Sequence, residues 1–156
     1  MRIEMIFEVS IDKSVSIGYN INEVVAMLDK VGYWLELADE DVLNAKAMLK
    51  GDRFLGACYF CHQIAEKALK AVVASVAEET PPKIHDLGKL AVKGNVYSDL
   101  SDKQIAYLVD LEKFQIEARY PEYKSQIAKA LNSQKCKLIL KETEEFLCFV
   151  KQRLGR

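Results

Sequence analysis

The sequence predicts an all-α protein, an antiparallel up-and-down four-helix bundle with a short extra helix, plus a β-hairpin at its N-terminus. Three observations carry this reading. Asp52–Glu79 is a Pro-free stretch rich in Ala, Leu, Lys and Glu, the residues that lose least on entering a helix. Within it Phe54, Ala57, Cys61, Ile64, Ala68, Leu69, Val72 and Val76 recur at three- and four-residue steps and form one apolar stripe. Near the C-terminus Cys136, Ile139/Leu140, Thr143, Leu147, Val150 and Leu154 make a nearly heptad seam. Helices with such seams joined by short links pack as antiparallel neighbours.

Residues 1–30 are read as an N-terminal extension and residues 31–156 as the bundle domain. Between residues 3 and 19, Ile3, Met5, Phe7, Val9 and Ile11 alternate with polar residues, and Val15, Ile17 and Tyr19 do so again. A period of two means strand, here a hairpin turning near Asp12-Lys13. A lone two-stranded ribbon is marginal in water, so it must pack on the helices or on another subunit. Translation starting at Met27 is the other reading of this segment.

Asn20 or Asn22 caps a short helix through Lys30, and Gly32 loosens the chain before a stronger helix from Tyr33 to Lys50. In that helix Trp34, Ala38, Asp41/Val42, Ala45 and Leu49 keep the helical step, while Asp39 and Glu40 face out. Gly51 supplies the stop and Asp52 the next N-cap. Trp34, Met48 and Phe54 are assigned to the core. Pro81-Pro82 ends the central helix, and His85 or Asp86 opens a short helix through Val92. Ser101 with Gln104 three residues later spells a capping box for a helix that runs to about Arg119, where Pro121 breaks it. The last helix spans about Ser133 to Leu154.

The chain has 156 residues, half of them hydrophobic and 29% charged, enough for one domain with a buried core. No apolar run reaches the length of a membrane span, and acids interrupt the N-terminal apolar residues, so neither an integral membrane protein nor a secretory leader is expected. A cytoplasmic location follows. The formal net charge is −1, without the basic field that covers many nucleic-acid binders. The second half is mildly basic, which permits a local anion site.

Cys58-Tyr59-Phe60-Cys61-His62 formally spells the haem-attachment string, but it lies inside a predicted helix. Cys136 and Cys148 stand too far apart to complete a zinc site. All four cysteines are read as small hydrophobes with free thiols, and neither metal nor cofactor is expected.

The central helix has a second, polar stripe of Tyr59, Gln63, Glu66 and Lys70, with His62 and Lys67 beside it. The bland reading of Glu66 and Lys70 is an ion pair on a solvated helix face. The sharper one gives Lys67 and Lys70 to a phosphate and Gln63 to a base or ribose. His85-Asp86 is either an N-cap and its neighbour or an imidazole at an anion-attracting helix start. Arg119 either binds carbonyls or an acid within the bundle, or reaches an anion with Tyr120 and Tyr123 stacking nearby.

Several strings occur together in order: Ala45-x-x-Met48-Leu49, Tyr59-Phe60-x-x-Gln63-x-Ala65-Glu66-Lys67-Ala68-Leu69-Lys70-Ala71, His85-Asp86-Leu87-x-x-Leu90 and Glu117-Ala118-Arg119-Tyr120-Pro121-Glu122. This order and spacing resembles the HEPN family, from Ala38 to about Leu154. The resemblance implies a helical bundle that dimerises and binds nucleotide or RNA, often beside a minimal nucleotidyltransferase as partner in a toxin-antitoxin arrangement. It makes Gln63, Glu66, Lys67, Lys70, His85, Arg119 and Tyr120 the candidate ligand-binding residues. Many toxic members cleave RNA without metal through an Arg-x4-6-His motif. Here Arg119 is followed by Tyr, Pro, Glu, Tyr and Lys, and no such motif exists. Two further readings therefore stand beside nucleotide binding: a metal-independent ribonuclease with a nonstandard His85/Arg119 pair, and a ligand-free dimeric adaptor.

Overall fold

The computed structural model describes residues 21–77, 80–116 and 121–156. The N-terminal hairpin read from residues 3–19 lies outside them. Six α-helices and one 3-10 turn occur among the described residues: α1 (Ile21–Lys50), α2 (Phe54–Val76), α3 (Leu87–Lys93), the turn Tyr97–Asp99, α4 (Asp102–Ile116), α5 (Pro121–Ala130) and α6 (Ser133–Arg153). The molecule is all-helical over this range, a helical bundle.

The stripe on α2 explains the arrangement. Fourteen of its residues are buried, so this helix is covered on nearly every side. It packs along α1 and also against α6, α4 and α3. Pairs along the α1–α2 seam run in opposite senses: a Cβ at Gly56 would meet Met48, Lys67 reaches Asp41, and Lys70 reaches Trp34. Those two helices are antiparallel, as a three-residue link requires. Along α2 and α6 the sense is shared, since Phe54 and Cys58 face Cys136 while Cys61 faces Thr143. Inside, Tyr107 of α4 donates to Thr143 Oγ1 at 2.7 Å, and that hydroxyl donates to the Ile139 carbonyl at 2.7 Å, which satisfies both buried groups. On the outside Lys46–Glu144 and Lys151–Asp39 tie α1 to α6.

Local signals explain most boundaries. Ser101 and Gln104 form the expected box: the Ser101 N–H donates to Gln104 Oε1 at 2.9 Å and the Gln104 N–H to Ser101 Oγ at 3.2 Å. Asn132 caps α6 through the Lys135 N–H.

The end of α1 differs from expectation. The Arg53 N–H donates to the Met48 carbonyl and the Asp52 N–H to that of Leu49, a Schellman closure with Asp52, not Gly51, in the left-handed position at φ 56°. Asp52 thus closes α1, and the residue at the N-cap of α2 is Arg53, which offers no side-chain cap. Gly32 stays inside α1, which runs unbroken past it.

Pro121 begins a helix as well as following one. It sits at the first position of α5, where its missing N–H costs nothing, and α5 is absent from the sequence reading. Met48 is more exposed than a core residue, and Trp34 and Phe54 are only partly buried against the core. Val76, at the end of the α2 stripe, is also exposed.

Candidate functional site

The polar stripe of α2 does not face solvent. Glu66 and Lys70 are 4% and 6% exposed, and His62 is fully buried. Periodicity places them on one face; α1, α4 and the chain before α3 then close over that face.

Glu66 is the hub. Its Oε1 accepts from Lys70 Nζ at 2.6 Å, one helical turn on, and its Oε2 bonds His85 Nδ1 at 3.0 Å. His62 Nδ1 lies 3.9 Å from the same Oε2. Lys70 also stands over the Trp34 ring, 5.1 Å from its centroid, so α1 supplies an aromatic face to the buried ammonium. The expected Glu66–Lys70 pair is therefore present, but in the interior.

Glu112 of α4 closes the far side. Its Oε1 accepts the Leu87 N–H at 2.6 Å, and its Oε2 lies 3.6 Å from His62 Nε2. Burial pushes the Glu112 carboxyl above its ordinary range, with the Asp86 and Glu66 charges adding to that and the Leu87 N–H opposing it. Asp86 caps α3 by accepting the Lys89 N–H at 2.8 Å, and that bond holds its carboxyl below the ordinary range. The capping role read for Asp86 thus holds. Its neighbour His85 leaves the helix start and turns inward to Glu66.

His85 is the most exposed of the charged and titratable members of the cluster, with a side chain 53% exposed against 29% for Glu112. With Nδ1 bonded to the carboxylate, Nε2 is the nitrogen left to act on anything reaching the ring. An imidazole oriented by a buried carboxylate is a general acid–base arrangement and, when protonated, a donor for a phosphate oxygen.

The other candidate residues have different surroundings. Lys67 is paired with Asp41, itself buried, and Asp41 also accepts from Asn44 Nδ2 at 3.3 Å. Gln63 Nε2 donates to Gln115 Oε1 of α4 at 3.5 Å. Arg119 and Tyr120 lie outside the described residues. Glu112, Trp34 and Asp41 belong to this network and are missing from the sequence-derived set. Asp41 carried a signal, an acid at an inward-facing position of a helical stripe; Glu112 carried none, since only the approach of α4 brings it to Leu87.

The thiols do not take part. Cys58, Cys61 and Cys136 are buried, with Cys58 Sγ 3.6 Å from Cys136 Sγ, whereas Cys148 is exposed, so the reading as small hydrophobes suits three of the four. Burial pushes the Cys61 thiol up to about 12 and raises that of Cys58 further. Among the described residues no set of three or more His, Cys, Asp or Glu is arranged to hold a metal ion. No helix among them is long and apolar enough to cross a membrane.

A family model described as HEPN domain matches residues 31–153. No curated protein and no solved structure matches the chain.

Proposed function

The chain belongs to the HEPN domain family, and from that premise we propose that it binds a nucleotide or RNA phosphate at the His85 end of the buried cluster. Membership supports a general nucleotide- or RNA-related function. In this reading the protein works as a homodimer with a minimal nucleotidyltransferase partner in a toxin-antitoxin-like pair. The observation that supports it is the 3.0 Å contact between half-exposed His85 and buried Glu66.

Lys67 and Lys70 are each matched by a carboxylate, so neither brings a surplus charge to an anion. They and Glu66 act from beneath, by fixing α2 and the imidazole. Direct contact with a phosphate falls to His85, and Arg119 and Tyr120 remain its candidate companions. The ribonuclease alternative is favoured by the same His–Glu pair, which is suited to moving a proton to or from a ribose hydroxyl. The partner rests on the family resemblance and is tested by co-purification with a nucleotidyltransferase from the same genome.

The deciding experiment is a thermal-shift titration with ATP, GTP, AMP and a short RNA, on wild type and His85→Ala. A ligand that binds the folded state raises the melting temperature with concentration. The expected result is a rise that His85→Ala loses while its ligand-free melting temperature stays at the wild-type value. A rise that survives His85→Ala, or none with any ligand, overturns the proposal. RNA cleavage that disappears in the same variant would move the protein to the ribonuclease reading.

A further inference from the structure

Three of the four cysteines are buried, and they gather where α2 packs on the first half of α6. Cys58 Sγ lies 3.6 Å from Cys136 Sγ, although the two residues are 78 positions apart in the chain. Cys61, one turn further along α2, faces Thr143 instead. Cys58 is therefore the thiol in contact with Cys136, and neither belongs to the His85 cluster. A disulfide holds its sulfurs about 2.0 Å apart, so bonding this pair needs an approach of about 1.6 Å. Side-chain rotation with a slight shift of the two helices supplies that much.

The two sulfurs differ in their surroundings. Cys136 Sγ donates to the Phe54 carbonyl at 3.8 Å, which leaves the Cys58 thiol to donate to the Cys136 sulfur. Such a donor favours a thiolate on Cys136. Cys136 is also the fourth residue of α6, close to the positive end of the helix, with Lys135 beside it. It lies in the lysine-rich end of the bundle, where residues 123–141 carry five lysines and no aspartate or glutamate. Burial opposes these effects and holds both thiols above their ordinary range, which makes any reaction slow. A cleft of about 200 Å³ between α4, α5 and α6 has Lys135 in its wall, one residue from Cys136. Opening of this edge gives a small oxidant its route to the sulfur.

We propose that Cys58 and Cys136 are an oxidative modification site, where a small hydroperoxide makes a disulfide that clamps α6 to α2. The Cys136 thiol gives up its proton, and the thiolate attacks one oxygen of the peroxide. The O–O bond breaks, a sulfenic acid forms, and the departing hydroxide takes the proton and leaves as water. The Cys58 sulfur then displaces hydroxide from the Cys136 sulfur, and that hydroxide leaves as water with the Cys58 proton. The two thiols together lose two electrons and the peroxide gains them. A link across 78 positions restricts the unfolded chain, so the oxidised bundle is the more stable one. A dithiol reductant reverses it.

The test treats the folded full chain with hydrogen peroxide and follows intact mass, disulfide-mapped peptides and thermal melts. It is run in a Cys148→Ser background, because that exposed thiol would otherwise link one molecule to another. The expected product has the mass of one chain less two hydrogens and yields a Cys58–Cys136 peptide pair. Its melting temperature is expected to lie above that of the same sample reduced with dithiothreitol. Cys58→Ala and Cys136→Ala, made separately, are each expected to lose the mass change and the rise in melting temperature. A cooperative melt of each reduced variant checks that it folds, and the peptide map of the parent protein stands without them. Four results overturn the proposal: no loss of two hydrogens, a link that uses Cys61, a link that persists in either alanine variant, or a linked protein that melts no higher than the reduced one.

Discussion

His85 and Glu66 are nineteen residues apart in sequence, yet Nδ1 of one lies 3.0 Å from Oε2 of the other. The carboxylate that receives the imidazole is the same one that holds Lys70 inside the bundle. One buried acid thus serves two basic side chains from different segments. Its removal should be felt both in stability and at the surface.

Glu66→Ala leaves the Lys70 ammonium buried without its partner, and such losses cost about 3–5 kcal/mol. The double change Glu66→Leu/Lys70→Met removes both charges together and should recover a large part of that cost. Urea unfolding of the double variant and of Glu66→Leu and Lys70→Met alone closes the cycle, with Glu66→Ala measured beside them. If the double variant is as unstable as Glu66→Ala, the Glu66–Lys70 pair is not the source of the penalty.

Glu112 should make stability depend on pH in a definite direction. Its folded-state carboxyl titrates above its unfolded value, so the folded protein holds the proton more tightly. Stability from this group is present at pH below the unfolded value and declines as pH rises towards and through the folded one. Glu112→Gln keeps an acceptor for the Leu87 N–H without the charge. The melting temperature of the variant relative to wild type should therefore climb as pH is raised from about 4 to 7. A difference that is flat over this range refutes the assignment.

Three helices end in the same closure, with Asp52, Asn95 and Gly155 in the left-handed position at φ 56°, 53° and 70°. Only the last has the residue that adopts this conformation without cost. Asp52→Gly and Asn95→Gly should each stabilise the protein by roughly 0.5–1 kcal/mol. Gly51→Ala should be mild, since a Cβ there meets nothing closer than 3.6 Å. Gly94→Ala should be the harmful one, because its Cβ would stand 2.9 Å from Val72 Cγ1 in the core; overpacking of this kind costs about 1–3 kcal/mol. Thermal melts of the four variants give the order directly.

Alkylation should separate the thiols. At neutral pH the folded protein is expected to take up one iodoacetamide adduct, at Cys148, and the unfolded protein four, the full cysteine count. Mass spectrometry with peptide mapping checks both. Ready labelling of Cys58 or Cys61 in the folded state would contradict their burial.

Local chemistry was the legible part. The Ser101–Gln104 box, the Asp86 cap and the seam of α6 each depend on residues within a few positions, and each occurs where sequence reasoning puts it. The His85-Asp86-Leu87 string marks the entry to α3, where His85 meets Glu66. Burial of Glu66 and Lys70 was not legible, because it depends on Trp34, His85 and Glu112 arriving from three other segments. Helix α5 was missed because Pro121 was weighed as an ending, although proline serves equally well at a helix start. Asp52 misled for a related reason: a good N-cap residue also tolerates the left-handed conformation, and the link here needs the second property.

The central position of α2 has a consequence for how the molecule opens. Its amides around Ile64–Val72 lie under α1, α3, α4 and α6, so no single neighbour can swing away and expose them. Their hydrogen exchange should proceed only by global unfolding and report the full stability of the domain. Helix α5 touches α2 only lightly and should exchange far sooner through a small local opening. Deuterium uptake would then divide the chain into a slow spine and a fast edge, with the lysine-rich end on the fast side.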